Sequence, residues 1–205
     1  LKKYIRLRKK YLGLKQYHTY DRFLELAHSN KEYTYEEAKE LFFHSISQFP
    51  QDFQDKAHEV LRDGFVDVME KVGKRTGAYS SSVANLHPFI LLNFDHTLDS
   101  VFTVAHEAGH SIHSMYATQT QPTMLQDYTI FVAEIASTFN EHTLLDYFLS
   151  LPDATKEEKI MVIQKAIDEI MSTFYRQTLF AEYEYLANHE AVSYTHLRAH
   201  ETLMN

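Results

Sequence analysis

The residues with chemical potential in this chain converge on one stretch, Val101-Phe-Thr-Val-Ala-His-Glu-Ala-Gly-His-Ser-Ile-His-Ser-Met-Tyr116, which holds His-Glu-x-x-His at His106, Glu107 and His110. At 3.6 residues per turn the two histidines lie about 40° apart on one helix face, so both imidazoles can close on one ion at about 2.0–2.1 Å. Glu107 falls roughly 100° from His106 and about 60° from His110, which puts it beside the ion rather than on it. That is where a general base for a metal-activated water must stand. Val101, Ala105, Ala108, Ile112 and Met115 form an apolar stripe on another face and anchor the helix. In a chain with 13 His the motif also arises by chance, at a rate on the order of a few per cent. A third ligand has to decide the matter.

The candidate lies in Ile130-Phe-Val-Ala-Glu134-Ile-Ala-Ser137-Thr-Phe-Asn-Glu141, where Glu134 is a single carboxylate inside an apolar run. Among Phe131, Val132, Ile135 and Phe139 its charge is costly to bury unless it is paired or coordinates a metal. Two His and one Glu, with the fourth position left to water, is a known catalytic zinc arrangement and calls for one Zn2+ per chain. Glu134, Ser137 and Glu141 are spaced i, i+3, i+7 and share one stripe. Ser137 and Glu141 can therefore support the imidazoles or Glu134 by hydrogen bonds, with ordinary helix-surface polarity as the alternative for both. His113, one turn beyond His110, reads as a core or supporting histidine, because a fourth protein ligand would close the site to substrate.

The elements that must position these residues are mainly helical. With 5 Gly and 4 Pro in 205 residues, there is little punctuation for an all-β fold. The pattern from Tyr4 to Val72 is helical, broken near Gly13, near Ser29 and Asn30, and at Pro50, with capping-box spacing at Thr34 and Glu37. Gly77–Ala84 and Pro88–Phe94 read as two strands joined by a turn around Asn85 to His87, the one sheet expected. Helical texture resumes at Thr97, from about Gln126 to Ser150, and from Thr155 to about His189, where Thr155 and Glu158 repeat the capping-box spacing.

Composition removes several function classes. A net charge of -8 argues against a nucleic-acid binder, which needs a basic face. The basic cluster Lys2, Lys3, Arg6, Arg8, Lys9 and Lys10 reads as the solvated side of a helix. Zero Cys excludes disulfides, thiolate zinc sites and a Cys nucleophile together. The apolar runs fall far below the roughly 18 residues of a membrane span, and no signal-peptide segment follows the basic start, so the expectation is a cytoplasmic protein without a membrane partner.

With these residues in hand, the chain resembles the catalytic core of the oligoendopeptidase F group in the thimet-oligopeptidase-like family of zinc metallopeptidases. The matching pieces are GKRTGAYSS at 73–81, PFILLNF at 88–94, FTVAHEAGHSIHSMY at 102–116, FVAEIASTFNE at 131–141 and FYRQTLFAEYEY at 174–185. The resemblance implies a zincin-like, mainly helical catalytic core with a small β-hairpin or edge strand beside the active-site helix. It implies that His106, His110 and Glu134 bind zinc, that Glu107 activates the water, and that the substrates are short peptides cut inside a deep channel. It further implies that the strand at 88–94 lies along the cleft, where an extended peptide adds to its edge. The donors that stabilise the oxyanion belong, by the same resemblance, to a segment later than any matched here. The competing reading is a helical zinc-binding or partner-binding module without turnover.

The end of the chain has a different texture. Val192-Ser-Tyr-Thr-His-Leu-Arg-Ala-His-Glu-Thr202 resembles one reading frame of a common transposase-type sequencing adapter. That frame requires Ser, Pro, Thr or Ala before it, and residue 191 is Ala. The expected organisation is a partial catalytic domain at 1–191, weakly active or inactive as an incomplete fragment, followed by a non-native tail at 192–205. His196 and His200 are accordingly set aside as ligands despite their i, i+4 spacing. The absence of an initiator Met at Leu1 fits the same expectation of an interior piece.

Overall fold

The computed structural model describes residues 1–83 and 86–189. The tail from 192, His196 and His200 lie outside the described residues. The described chain divides into two compact units, Asn30–Ala154 and a second made of Leu1–Ser29 with residues 155–189.

The second unit contains helix α1 (Lys2–Tyr11), helix α6 (Lys156–Glu169), a π-helical turn at Ile170–Tyr175 and helix α7 (Arg176–His189). Thr155 and Glu158 form the capping box expected at the start of α6. One member of the basic cluster departs from the solvated reading, since Arg8 is fully buried. Its guanidinium donates to the carbonyls of Asp21 and Arg22 at 3.2 and 2.9 Å and to the Tyr4 hydroxyl at 3.2 Å. A buried guanidinium is tolerated because its two terminal nitrogens are satisfied by Tyr4 and by the carbonyls of the 3-10 turn Thr19–Phe23, a partner set that helical periodicity does not reveal.

The unit Asn30–Ala154 carries the candidate site. Helix α2 (Tyr35–Ser45) starts at the capping box of Thr34 and Glu37, and helix α3 (Gln51–Val60) starts at Pro50. Three short strands follow, β1 (Val66–Met69), β2 (Tyr79–Ser81) and β3 (Phe89–Phe94), in the order β1-β3-β2. β2 pairs antiparallel with β3, with Ser80 opposite Ile90, while β1 pairs parallel with β3, with Val66 opposite Ile90.

Two expectations are corrected here. Val66–Met69 is a strand rather than part of a helical stretch; four residues are too few to show a period, and their partner is more than 20 positions away. Consequently the strand at 88–94 is central, flanked by β1 on one side and by β2 along Phe89–Leu91 on the other. The outer edge beside the motif helix belongs to β2.

Helix α4 (Leu98–Thr120) carries the motif, and Thr97 caps it by accepting the Ser100 N–H at 3.3 Å. Val101, Phe102, Val104, Ala105, Ala108 and Ile112 are buried along it. Each fully buried Val, Ile or Phe contributes about 1.5–3 kcal/mol, so packing of this face, more than helix propensity, holds α4 in place. Helix α5 (Ile130–Ser150) buries Ser137, Asn140, Leu144 and Phe148, a stripe at i, i+3, i+7 and i+11. Asn140 ties the two helices by donating to the buried Ala105 carbonyl at 3.3 Å. Gly109 lets them meet, because a Cβ there would lie 2.8 Å from both the Ala136 carbonyl oxygen and the Ser137 Cα.

Candidate metal centre

Glu134 stands at the N-terminal end of the buried α5 stripe, one turn before Ser137 and opposite the motif turn of α4. The close contact at Gly109 brings that turn within reach of both histidines. His106 Nε2 and His110 Nε2 are 3.1 Å apart, and Glu134 Oε2 lies 3.4 Å from the first and 3.5 Å from the second. Among the described residues these three form a group of potential metal ligands.

The triangle fits an ion closely. Tetrahedral zinc with bonds of about 2.0–2.1 Å holds its ligand atoms roughly 3.3–3.4 Å from one another. Tautomer chemistry points the same way. His106 Nδ1 is 3.0 Å from Glu141 Oε1, and a carboxylate there keeps the ring proton on Nδ1 and leaves a lone pair on Nε2. That lone pair faces the second imidazole nitrogen with a carboxylate oxygen beside both, an arrangement best relieved by a cation.

The electrostatics of the chain follow from the same crowding. Burial pulls the His106 imidazole down, but the hydrogen bond and charge of Glu141, with Glu107 and Glu134 nearby, outweigh it and raise the pKa above the usual value. For His110, burial and then the charge of His106 lower it. Charge on the first ring opposes charge on the second.

Glu107 is 5% exposed. Burial pushes its carboxyl up to about 7, Glu134 and Glu141 adding to the rise, while the charge of His106 and the backbone N–H of Ser80 hold it back. Its Oε2 is buried without a hydrogen-bond partner. An unpartnered carboxylate oxygen is costly in a core, and it marks the atom free to receive a proton.

Ser137 is fully buried and donates to Glu134 Oε2 at 2.8 Å. Glu141 is largely enclosed, its side chain 13% exposed, and holds His106 as described. His113 is not brought into the group. Its ring stacks on Tyr128 with centroids 3.9 Å apart, and its Nδ1 is buried without a partner. The premise that Glu134 is enclosed by its apolar neighbours does not hold, since its side chain is 54% exposed and Phe131 and Ile135 lie open as well. α5 buries the stripe from Ser137 onward, so the turn before it projects past the helix contact.

Three contributors escaped the sequence reading. Gly109 had a signal, a glycine inside a helical pattern. Asn140 and Ser80 carried none, because their roles depend on partners 35 and 31 positions away, Ala105 and Ser111.

Glu141→Ala is expected to weaken Zn2+ binding by about 10–100-fold, the usual effect of removing a carboxylate behind a ligating histidine. Competition against a chromophoric chelator measures this; unchanged affinity would show that His106 is held without Glu141.

Helical architecture and a two-histidine, one-carboxylate pocket on adjacent helices define the class, a mainly helical protein with a candidate metal centre. The chain belongs to peptidase family M3, whose family model matches residues 1–203. It is 38% identical over 192 residues to oligopeptidase PepF of Bacillus subtilis, covering 93% of this chain and 28% of that protein. It is 36% identical to the group B oligopeptidase PepB of Streptococcus agalactiae over 90% of this chain and 31% of that one. A crystal structure of a candidate peptidase from Chlamydophila abortus superposes with a TM-score of 0.80 at 42% identity, over 92% of this chain and 31% of that chain. The chain thus spans less than a third of the length of these relatives.

Proposed function

We propose that the protein is a zinc-dependent endopeptidase that hydrolyses short peptides in the cytoplasm. The observation that carries this reading is the triangle of His106 Nε2, His110 Nε2 and Glu134 Oε2 beside the unpartnered Oε2 of Glu107. Membership of a peptidase family and relatives named oligopeptidases support it, and zero Cys fits a reducing compartment. Among the described residues no helix is long and apolar enough to cross a membrane.

His106, His110 and Glu134 would hold the ion. A bound Zn2+ would lower the pKa of a coordinated water to about 7 and polarise a carbonyl oxygen. Glu107 takes a proton from the attacking water at Oε2 and returns it to the leaving amine, while the Ser80 N–H keeps the other carboxylate oxygen in place. Glu141 fixes the His106 ring, and Ser137 steadies Glu134.

The substrate lies along the outer edge of β2. Ser80 N–H points outward to Glu107, so the alternation of a strand turns the Ser80 carbonyl to the same side. A peptide adding there gains affinity from main-chain hydrogen bonds without strong side-chain preference.

The test is metal content with cleavage of an internally quenched peptide by the full-length protein. One Zn2+ per chain, loss of cleavage with chelator and recovery with Zn2+ are expected. Cleavage that survives complete metal removal would sink the proposal, and zinc without cleavage would favour a non-catalytic metal-binding module.

A further inference from the structure

One hydroxyl pair beside the base, half-buried at Ser80 and fully buried at Ser111, has no part in the chemistry proposed above. Ser111 lies one turn after Glu107 on α4, is fully buried, and meets Ser80 of β2 with 2.8 Å between the two hydroxyl oxygens. The same residue, Ser80, gives its backbone N–H to the carboxylate of Glu107. Residues i and i+4 of a helix stand on one face, so Glu107 and Ser111 grip Ser80 at adjacent points, one through main chain and one through side chain.

β2 is three residues long and lies at the edge of its sheet. Its antiparallel pairing with β3 sets the register but not the height of its outer edge above α4. A hydroxyl pair across the strand–helix gap adds a second tether to the Ser80 N–H bond on Glu107 and so fixes that height.

We propose that Ser80 and Ser111 are positioning residues for the base: their hydroxyl bond sets the distance between α4 and the edge strand, and so aims Glu107. This rests on the peptidase reading. The reason it bears on rate is geometric. Proton transfer requires hydrogen-bond reach of about 2.6–3.2 Å, and a displacement of about 1 Å can cost on the order of 100-fold. Without the bond, β2 keeps its pairing to β3 but is tied to α4 here by the Ser80 N–H alone, which can then shift and carry the Glu107 carboxylate off its aim.

The experiment is a double-mutant cycle on the zinc-loaded full-length protein with an internally quenched peptide. Ser111→Ala and Ser80→Ala are each expected to lower kcat by about 10–100-fold, with KM within about two-fold and zinc content unchanged. The double variant is expected to be no slower than the slower single, since one bond is removed in all three. Ser80→Thr, which keeps the hydroxyl, is expected to restore most of the kcat lost in Ser80→Ala. Full kcat in Ser111→Ala, additive losses in the cycle, or no recovery with Thr would overturn the proposal. A wild-type protein that binds zinc but cleaves nothing would instead overturn the peptidase reading on which it stands.

Discussion

Glu107→Gln is expected to lower peptide turnover by about 10²–10⁴-fold, the range for removing a positioned general base, with zinc content unchanged. Gln has nearly the same shape, and its amide oxygen can still accept the Ser80 N–H, so the strand and helix keep their places. It cannot take a proton from water at neutral pH. Loss of turnover with retained zinc therefore isolates the proton-transfer role; unchanged kcat would remove Glu107 from the mechanism.

The same substitution has a second readout of opposite sign. Burial raises the Glu107 carboxyl from 4.5 to about 7. Between those values the unfolded chain has released the proton and the folded chain still holds it, so this group makes stability fall as pH rises from about 4.5 to 7. Its contribution is complete below the lower value and lost above the upper. Melting of the metal-free protein across that window measures the slope. Glu107→Gln is expected to flatten it and to melt higher than wild type at pH above 7. A variant that loses activity while gaining stability is what a site built around a costly buried carboxylate should show. A steeper slope in the variant would contradict the account of burial.

Gly109→Ala is expected to disable the chemistry while leaving every proposed ligand and the base in the sequence. The new Cβ would sit 2.8 Å from the Ala136 carbonyl oxygen and the Ser137 Cα. Both are backbone atoms and cannot swing aside, so α5 must move away from α4. Overpacking of this kind costs about 1–3 kcal/mol, roughly 2–12 °C in Tm for a domain of this size. Glu134 and Glu141 both ride on α5, so the shift also opens the ligand triangle and frees His106. Zinc affinity is expected to fall at least ten-fold beyond the loss of stability. Calorimetry with a zinc titration checks both at once; wild-type affinity in a folded variant would show that the close helix contact is not what assembles the site.

These expectations separate what is local from what is not. Spacing alone puts His106, Glu107 and His110 on one turn of helix, because 3.6-residue periodicity is a property of consecutive residues. The capping boxes at Thr34 and Thr155 were legible for the same reason, each motif spanning four positions. The i, i+3, i+7 stripe of Glu134, Ser137 and Glu141 was legible as a stripe, yet its burial was not. α5 encloses Ser137 and leaves Glu134 more than half exposed, a boundary set by where α4 touches it.

What the sequence determined by itself is therefore the set of chemically capable side chains and the helices that carry them. The tertiary structure decided which of them meet. It brought Glu134 to the two imidazoles through the contact at Gly109, sent Glu141 to His106 Nδ1 and turned His113 away onto Tyr128. It also gave the edge beside Glu107 to β2 by pairing the four residues of β1 with β3. The physical reason is one of range: helical period and end-capping are written in neighbours a few positions apart, whereas helix contact, strand order and the environment of a carboxylate depend on residues that only folding brings together.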